Sequence, residues 1–563
     1  MTTTVHHSAT IAALAMCAVL SRSAPAAAVP GPDSVAVLAN EATAASVDLM
    51  HLYAEARHLP AGQLCTVDVP PYADLLVGEF QAKIVTPLVD CLTKSGALPR
   101  IEAVVLMRGM PRRLFVAGQP GNLRVSLAAA LAIARSVRKA DDVAVVGMPP
   151  GVKVADSNAW RATWSNPYTK GPFRAGFEET VGPYNHRMWL VTALDGYSYA
   201  DAALLIDSAL AARPFDLGAQ WLLMKGADKA RAALDGQYPA VQAQLEGMLP
   251  APVAIEDFKT NLTGRHLGAF VTGTAQLGDT IEANTWAAGA LVDNLTSFGA
   301  HPDNFVAPEV GGTQVQVSIG RWVRAGVAGV HGTVSEPLNN CFPSRQFLVD
   351  YAAGATLAEA FWQNLPYLYW MNLVLGDPMV APFAKRPTLA LVAVAPTTMD
   401  ADQGWVDGDQ SAHLEIIADA GGDPIGQLRI FVDDVLVADA KGAAATIELS
   451  AGAHTLVAVA QAAKSDSGAG VWQSKGWQAW TLTVASTSAG APGEDAGGDG
   501  GDGGDGEPGA GAGDGSVQAG GCSARPASGG RTVWLWLAGL AACGVAMRRR
   551  ARPVWPFEVA RSK

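Results

Sequence analysis

Trp189-Leu-Val-Thr-Ala-Leu194, Tyr199-Ala-Asp-Ala-Ala-Leu-Leu-Ile-Asp-Ser-Ala-Leu-Ala-Ala212 and Gln220-Trp-Leu-Leu-Met224 follow one another in a stretch of 36 residues. The first and third are short apolar runs, the signature of strands buried on both faces, and the second has helical spacing of its apolar residues. Strand, helix, strand is the repeating unit of a parallel α/β sheet. The alternation continues in both directions. Upstream are a strand at Ser34–Asn40, a helical segment from Thr43 carrying Ala45, Leu49, Leu52, Tyr53 and Ala56, a strand at Gln63–Val69, a helix at Leu76–Thr93 and a strand at Glu102–Met107. Downstream are a helix at Asp228–Leu245, strands at Leu267–Thr272, Leu291–Ser297 and Ala325–His331, and a helix at Thr356–Trp362 before Gly376-Asp377-Pro378. The expected fold class is α/β: a parallel or mixed sheet with helices on both faces, occupying residues 29–386. Gly118–Asn185, rich in Pro, Gly and Trp, reads as an irregular insertion.

After Lys385-Arg386-Pro387 the apolar period changes to two. Leu414–Ala418, Gln427–Val432, Val435–Asp439, Thr446–Leu449, His454–Ala460 and Trp477–Val484 are short strands separated by turn residues, with Asp433-Asp434 as one turn. That pattern predicts an all-β, immunoglobulin-like sandwich over 387–487. Residues 488–520 are dominated by Gly, Ala, Asp and Glu, a composition that cannot bury enough apolar surface to order itself. This segment reads as a tether.

The chain of 563 residues has 16% charged residues and a net charge of −12. Seven carboxylates lie in 491–515 with no Lys or Arg, and without them the net charge is −5. This balance excludes a protein built to neutralise nucleic-acid phosphates. A dinucleotide fingerprint, a Walker A sequence and a Gly-x-Ser-x-Gly elbow are all missing. No Cys-x-x-Cys or His-x-x-x-His spacing appears, so neither a metal nor a cofactor is expected.

Both ends carry addresses. Residues 1–28 have an apolar stretch from Ile11 to Leu20 followed by small residues, the layout of a signal peptide cleaved after Ala28, although the leading segment lacks Lys and Arg. Residues 521–563 open on Gly521-Cys522, continue through an apolar run from Val533 to Met547 and reach Arg548-Arg549-Arg550. That order resembles the MYXO-CTERM sorting tail of myxobacterial surface proteins. The resemblance implies processing and lipid attachment at Cys522, and makes the envelope sorting machinery and the membrane the expected partners. The expected location is the outer membrane or cell surface. A simple C-terminal membrane anchor is the alternative for this tail. Three cysteines remain in the exported body, Cys65, Cys91 and Cys341, so one pair and one leftover thiol are expected.

The phrases Val37-Leu-Ala-Asn40, Val104-Val-Leu-Met-Arg-Gly109-Met-Pro111, Leu190-Val-Thr-Ala-Leu-Asp195 and Gly332-Thr-Val-Ser-Glu336-Pro337 resemble an uncharacterised family of secreted bacterial proteins. The last third distantly resembles gingipain-type cysteine peptidases of caspase-like fold. Counting back from Gly376-Asp377-Pro378, that resemblance puts its Gly-Ala-rich strand at Ala325–Val330, its nucleophilic cysteine near Ser297 and its histidine near Thr272–Thr274. Neither catalytic residue is present, which implies a peptidase-like scaffold without the dyad. His331 with Cys341 is the alternative thiol–imidazole pair. The nine intervening residues, Pro337 among them, are too few for a crossover between adjacent parallel strands.

Ligands of open α/β sheets bind beyond the carboxyl ends of the strands. The residues placed there are Asn40, Arg108, Asp195, Lys225, Ser297 and Glu336, with Arg112 and Arg113 extending a basic cluster suited to a carboxylate or phosphate. The leading expectation is an exported, envelope-anchored, non-catalytic body that binds an unidentified ligand or partner. The alternatives are a cysteine peptidase or other hydrolase using His331 and Cys341, and a purely structural envelope protein.

Overall fold

The computed structural model describes residues 30–115, 123–138, 143–144, 165–170, 178–181, 184–213, 218–312, 315–394, 397–400, 405–408, 411–463 and 474–486. The cleavage site at Ala28, the tether, Cys522 and the apolar run Val533–Met547 lie outside the described residues. Among the described residues, no helix is long and apolar enough to cross a membrane.

Ten strands form the main sheet: β1 (Val35–Asn40), β2 (Leu64–Val67), β3 (Ala103–Met107), β4 (Leu190–Leu194), β5 (Gln220–Met224), β6 (Val253–Glu256), β7 (His266–Thr272), β8 (Thr285–Asn294), β9 (Gly329–Thr333) and β10 (Asn372–Gly376). Their spatial order is β6-β5-β7-β8-β9-β10-β4-β3-β1-β2. The block β4-β3-β1-β2 is parallel, and so is β6-β5-β7-β8-β9. Strand β10 lies between the blocks, runs antiparallel to β9 and meets β4 through Ala193 and Leu375. The sheet is therefore mixed. The residues of β1, β3 and β4 are buried throughout, as unbroken apolar runs require.

Side-chain caps open four of the helices, at Ser126, Ser198, Ser318 and Thr356. Helix α1 (Ala44–Arg57) ends at His58, and α2 (Thr86–Lys94) continues a helical path that begins at Val77 and includes a π segment at Gln81–Val85. Helix α3 (Leu127–Ala132) is buried along its whole length, so this part of the expected insertion belongs to the core. Six apolar residues in a row have no periodicity by which a sequence could announce a helix. Helix α4 (Tyr199–Ala211) starts at a capping box of Ser198 and Asp201. The helix expected from Asp228 begins only at α5 (Tyr238–Glu246), where Pro239 sits in the first turn, the place a helix tolerates it. Helix α6 (Ile319–Arg324) ends just before the segment expected as a strand, and its C-cap Ala325 and Gly326, at φ 93°, occupy that segment's start, so β9 begins four residues later than predicted. Helices α7 (Gln346–Ala352) and α8 (Leu357–Asn364) follow, the latter opened by a Thr356–Glu359 capping box. Cys65 in β2 is disulfide-bonded to Cys91 in α2.

The C-terminal region is β-structured. One sheet pairs Thr388–Ala393, Ser411–Asp419 and Ala444–Ser450 antiparallel. The second is antiparallel except where Trp405–Gly408 pairs with Lys475–Ser486. Alternate residues from the two sheets, among them Leu414, Ile416, Leu428, Ile430 and Leu456, enclose one apolar core. Asp433 and Asp434 both have positive φ, the conformation a two-residue hairpin turn demands.

The two regions are joined by buried charge. Lys475 is 1% exposed, and its Nζ donates to Asp33 at 3.1 Å, to Ser34 at 2.8 Å and to Glu102 at 3.1 Å. Arg429 also pairs with Asp33, and Arg386 donates to the Lys475 carbonyl at 2.7 Å. Nearby Glu359 is buried, its Oε2 accepts from the Thr356 N–H at 2.8 Å, and its Oε1 has no hydrogen-bond partner among the described residues. Burial raises its carboxyl pKa to about 8. Removing one member of a buried pair leaves the other uncompensated. Lys475→Ala is thus expected to lower stability by about 3 kcal/mol in urea denaturation. Glu359 binds its proton more tightly folded than unfolded, so its contribution is full below the unfolded value and is lost as pH rises through about 8. Stability measured from pH 5 to 8 should fall, and Glu359→Gln should flatten that slope.

Candidate functional site: the carboxyl edge of the sheet

Arg108 and Arg112 follow β3, and Asp195 follows β4. Arg108 Nη1 donates to Asp195 Oδ1 at 3.0 Å, while Arg112 donates Nε and Nη2 to Oδ2 at 2.9 and 2.6 Å. Arg108 also donates to the carbonyls of Gly196 and Tyr197. The Arg112 guanidinium lies 3.9 Å from the Phe305 ring centroid and 5.1 Å from that of Tyr72. Three of the predicted binding residues thus meet, as one internally bonded group. Beside it is a void of about 10 Å³ lined by Met107, Met110, Arg112, Ala193, Asp195 and Leu373, at the lower limit for one water molecule.

Asn40 ends β1 and is fully buried. Its Nδ2 donates to the carbonyls of Val69 and Gly109, both at 2.9 Å, and its Oδ1 accepts from the N–H groups of Ala42 and Val69. Every hydrogen-bonding site of this amide serves to fasten loops, so Asn40 is a clamp. Gly109 supplies its part of that clamp at φ 100°, which a side chain would strain.

On the neighbouring block, Ser297 Oγ donates to Glu336 Oε1 at 2.7 Å, and Lys225 Nζ reaches Asp257 at 2.8 Å, an exposed pair. A second basic group was not foreseen as a unit. Asp74 accepts Nε and Nη2 of Arg113 at 2.7 and 3.0 Å and Nε of Arg124 at 2.5 Å, and Arg113 Nη1 lies 3.0 Å from His301 Nε2. Of these four, sequence reasoning had marked Arg113 alone. The contacts of Arg112 with Phe305 and of Arg113 with His301 bring the carboxyl ends of both blocks to one edge.

His331 and Cys341 are not hydrogen-bonded to each other. His331, 1% exposed, has Nδ1 at 2.7 Å from Asp293 Oδ1 and Nε2 at 2.9 Å from Asn372 Oδ1. Asp293 is also fully buried, and Arg345 pairs with its other oxygen. Coulombic attraction from Arg345 and the hydrogen bond from His331 outweigh burial and leave the Asp293 pKa below the usual carboxylate range. Cys341 is a buried thiol outside the disulfide, donating to Asn340 Oδ1 at 3.7 Å. Both ring nitrogens are thus engaged by groups other than that thiol. Among the described residues no cluster of three or more His, Cys, Asp or Glu side chains could hold a metal ion.

Neither a family model nor a curated protein matches the chain. Among solved structures it is similar to one described as a protease, at 13% identity and TM-score 0.39, over 80% of this chain and 98% of that one. It is also similar to fibronectin(III)-like modules of CbhA from Clostridium thermocellum, at 11% identity and TM-score 0.15, over 23% of this chain and 58% of that one. A β-glucosidase from Listeria innocua follows at 10% identity and TM-score 0.14, over 51% of this chain and 49% of that one.

Asp195→Ala leaves two guanidinium groups facing each other with little water, and should destabilise the chain by about 3 kcal/mol in urea melts. Lys225→Ala, which breaks a solvated pair, should leave the urea midpoint unchanged.

Proposed function

We propose that the chain is an exported, envelope-anchored surface protein whose α/β body is non-catalytic and is presented on the β-structured region and the acidic tether. One observation carries the non-catalytic part: His331 spends both ring nitrogens on Asp293 and Asn372. The body is read as a peptidase-like, caspase-type scaffold and the C-terminal sheets as an immunoglobulin-like module. The positions assigned to a peptidase dyad support this, because Thr272–Thr274 and Ser297 follow the adjacent strands β7 and β8 and carry neither His nor Cys. Anchoring rests on the leader ending at Ala28 and on the Gly521-Cys522 tail with its apolar run and arginines.

An electrophilic thiol-directed activity probe should label the native chain and its Cys341→Ser variant alike, with Cys341 reacting only after denaturation. Native labelling that disappears in Cys341→Ser would establish the thiol-enzyme reading instead. In the producing cell, incorporation of a labelled fatty acid should be lost in Cys522→Ser, and incorporation that persists would remove the lipid attachment.

A further inference from the structure

The Cys65–Cys91 disulfide joins residues 26 positions apart, and the loop it closes carries side chains that lie over the arginines of the carboxyl edge. Tyr72 sets its ring 5.4 Å from the Arg108 guanidinium and 5.1 Å from that of Arg112, while Asp74 accepts from Arg113 and Arg124. Both belong to the connection that leaves β2 and returns through the helical path Val77–Lys94. One end of the bond is in β2, the last of the ten strands in spatial order, and the other is in α2, which packs on that strand. The crosslink thus fastens the cover at the margin of the sheet.

Apart from the disulfide, this connection is held unevenly. Its helical part buries Phe80, Ile84, Val85, Leu88 and Leu92. Within that part Gln81–Val85 is a π segment, a local break in the α-helical hydrogen-bond pattern. Ahead of it, Tyr72 sits at φ 57°, a region unfavourable to a bulky side chain, and the pairing of Leu75–Leu76 with Leu114–Phe115 is two residues long. Ala73 closes a turn onto the Pro70 carbonyl at 3.4 Å. A segment with few backbone ties opens locally at low cost once its ends are free. Cys65 is 1% exposed, whereas Cys91 is only partly buried, so the Cys91 sulfur is the one a reductant reaches.

We propose that Cys65–Cys91 is a redox latch: oxidised, it keeps the 66–90 connection closed over Arg108, Arg112, Arg113 and Arg124, and its reduction releases that connection while the rest of the sheet stays folded. The thiolate of a dithiol reductant attacks Cys91 Sγ and the S–S bond breaks, Cys65 leaving as a thiolate that takes up a proton. The reductant's second thiol then displaces Cys91, so the chain gains two electrons and two protons and the reductant ends as a disulfide. Opening withdraws Tyr72 and Asp74 from the edge. The latch acts at β2 and α2 alone, whether or not the body is catalytic or anchored.

The test is hydrogen exchange, read by mass spectrometry, on the folded full chain before and after treatment with dithiothreitol, with a thiol count to verify complete reduction. Amides of 70–90 should exchange about a hundredfold faster after reduction, the loop-closure contribution of a loop this long. Those of β3, β4 and β5 should keep their rates. Trypsin should cut the reduced chain after Lys83, in the π segment, and spare that bond in the oxidised chain. Phenylglyoxal should modify Arg112 faster once the chain is reduced. A Cys65→Ser, Cys91→Ser double variant should match the reduced chain with no reductant present, and reduction of the already folded chain keeps the test decisive if that variant does not fold. Unchanged exchange at 70–90 in the fully reduced chain overturns the proposal. Acceleration spread equally through β3, β4 and β5 overturns it too, because the disulfide then staples the whole fold.

Discussion

A carboxylate removed from water must be given cations, and Asp293 shows how this chain meets that demand. Placed at the end of β8 with no exposure, it takes His331 from β9 on one oxygen and Arg345, beside α7, on the other. His331 in turn reaches Asn372 at the start of β10. One charge thereby fixes the side-chain order across three strands and a helix at the middle of the sheet. It also turns both ring nitrogens of His331 towards Asp293 and Asn372.

The same device recurs. Asp195 holds Arg108 and Arg112, Asp74 holds Arg113 and Arg124, Asp33 holds Lys475 and Arg429, and Asp377 holds Arg57 while accepting from Tyr53. In each case one carboxylate fastens two partners, commonly from segments far apart in the chain. In a protein with only 16% charged residues, these five carboxylates each orient two partners. Such clusters contribute register and specificity more than net stability.

The strands β1, β3, β4 and β5 were legible because uninterrupted apolar runs of this length have few other uses, and the hairpin at Asp433-Asp434 because its residues tolerate positive φ. Arg108, Arg112 and Asp195 were legible as strand-end residues, since that needs only the local pattern. Their mutual pairing was not, because it joins residues more than 80 positions apart. The fate of His331 was hidden for the same reason: Asp293 and Asn372 stand 38 and 41 residues away, and neither lies in a motif. Arg124 and His301 gave no local signal, the one at the start of a three-residue strand and the other on a loop. Helix α3 and the late start of α5 show the converse, a local pattern too short or too broken by proline to mark its own ends.

The joint at Lys475 also has a mechanical meaning. The strand Lys475–Ser486 pairs with Gly452–Ala462 on one side and Trp405–Gly408 on the other, and its first residue is the one whose ammonium is buried against Asp33 and Glu102. A pull on the chain beyond Ser486 acts along this strand. The backbone hydrogen bonds lie across that direction and are loaded together in shear, not opened one after another. At the far end the load arrives at a buried ion cluster in the α/β body. The last strand is thus a tie, carrying tension from the end of the β-structured region to the buried ammonium at its first residue.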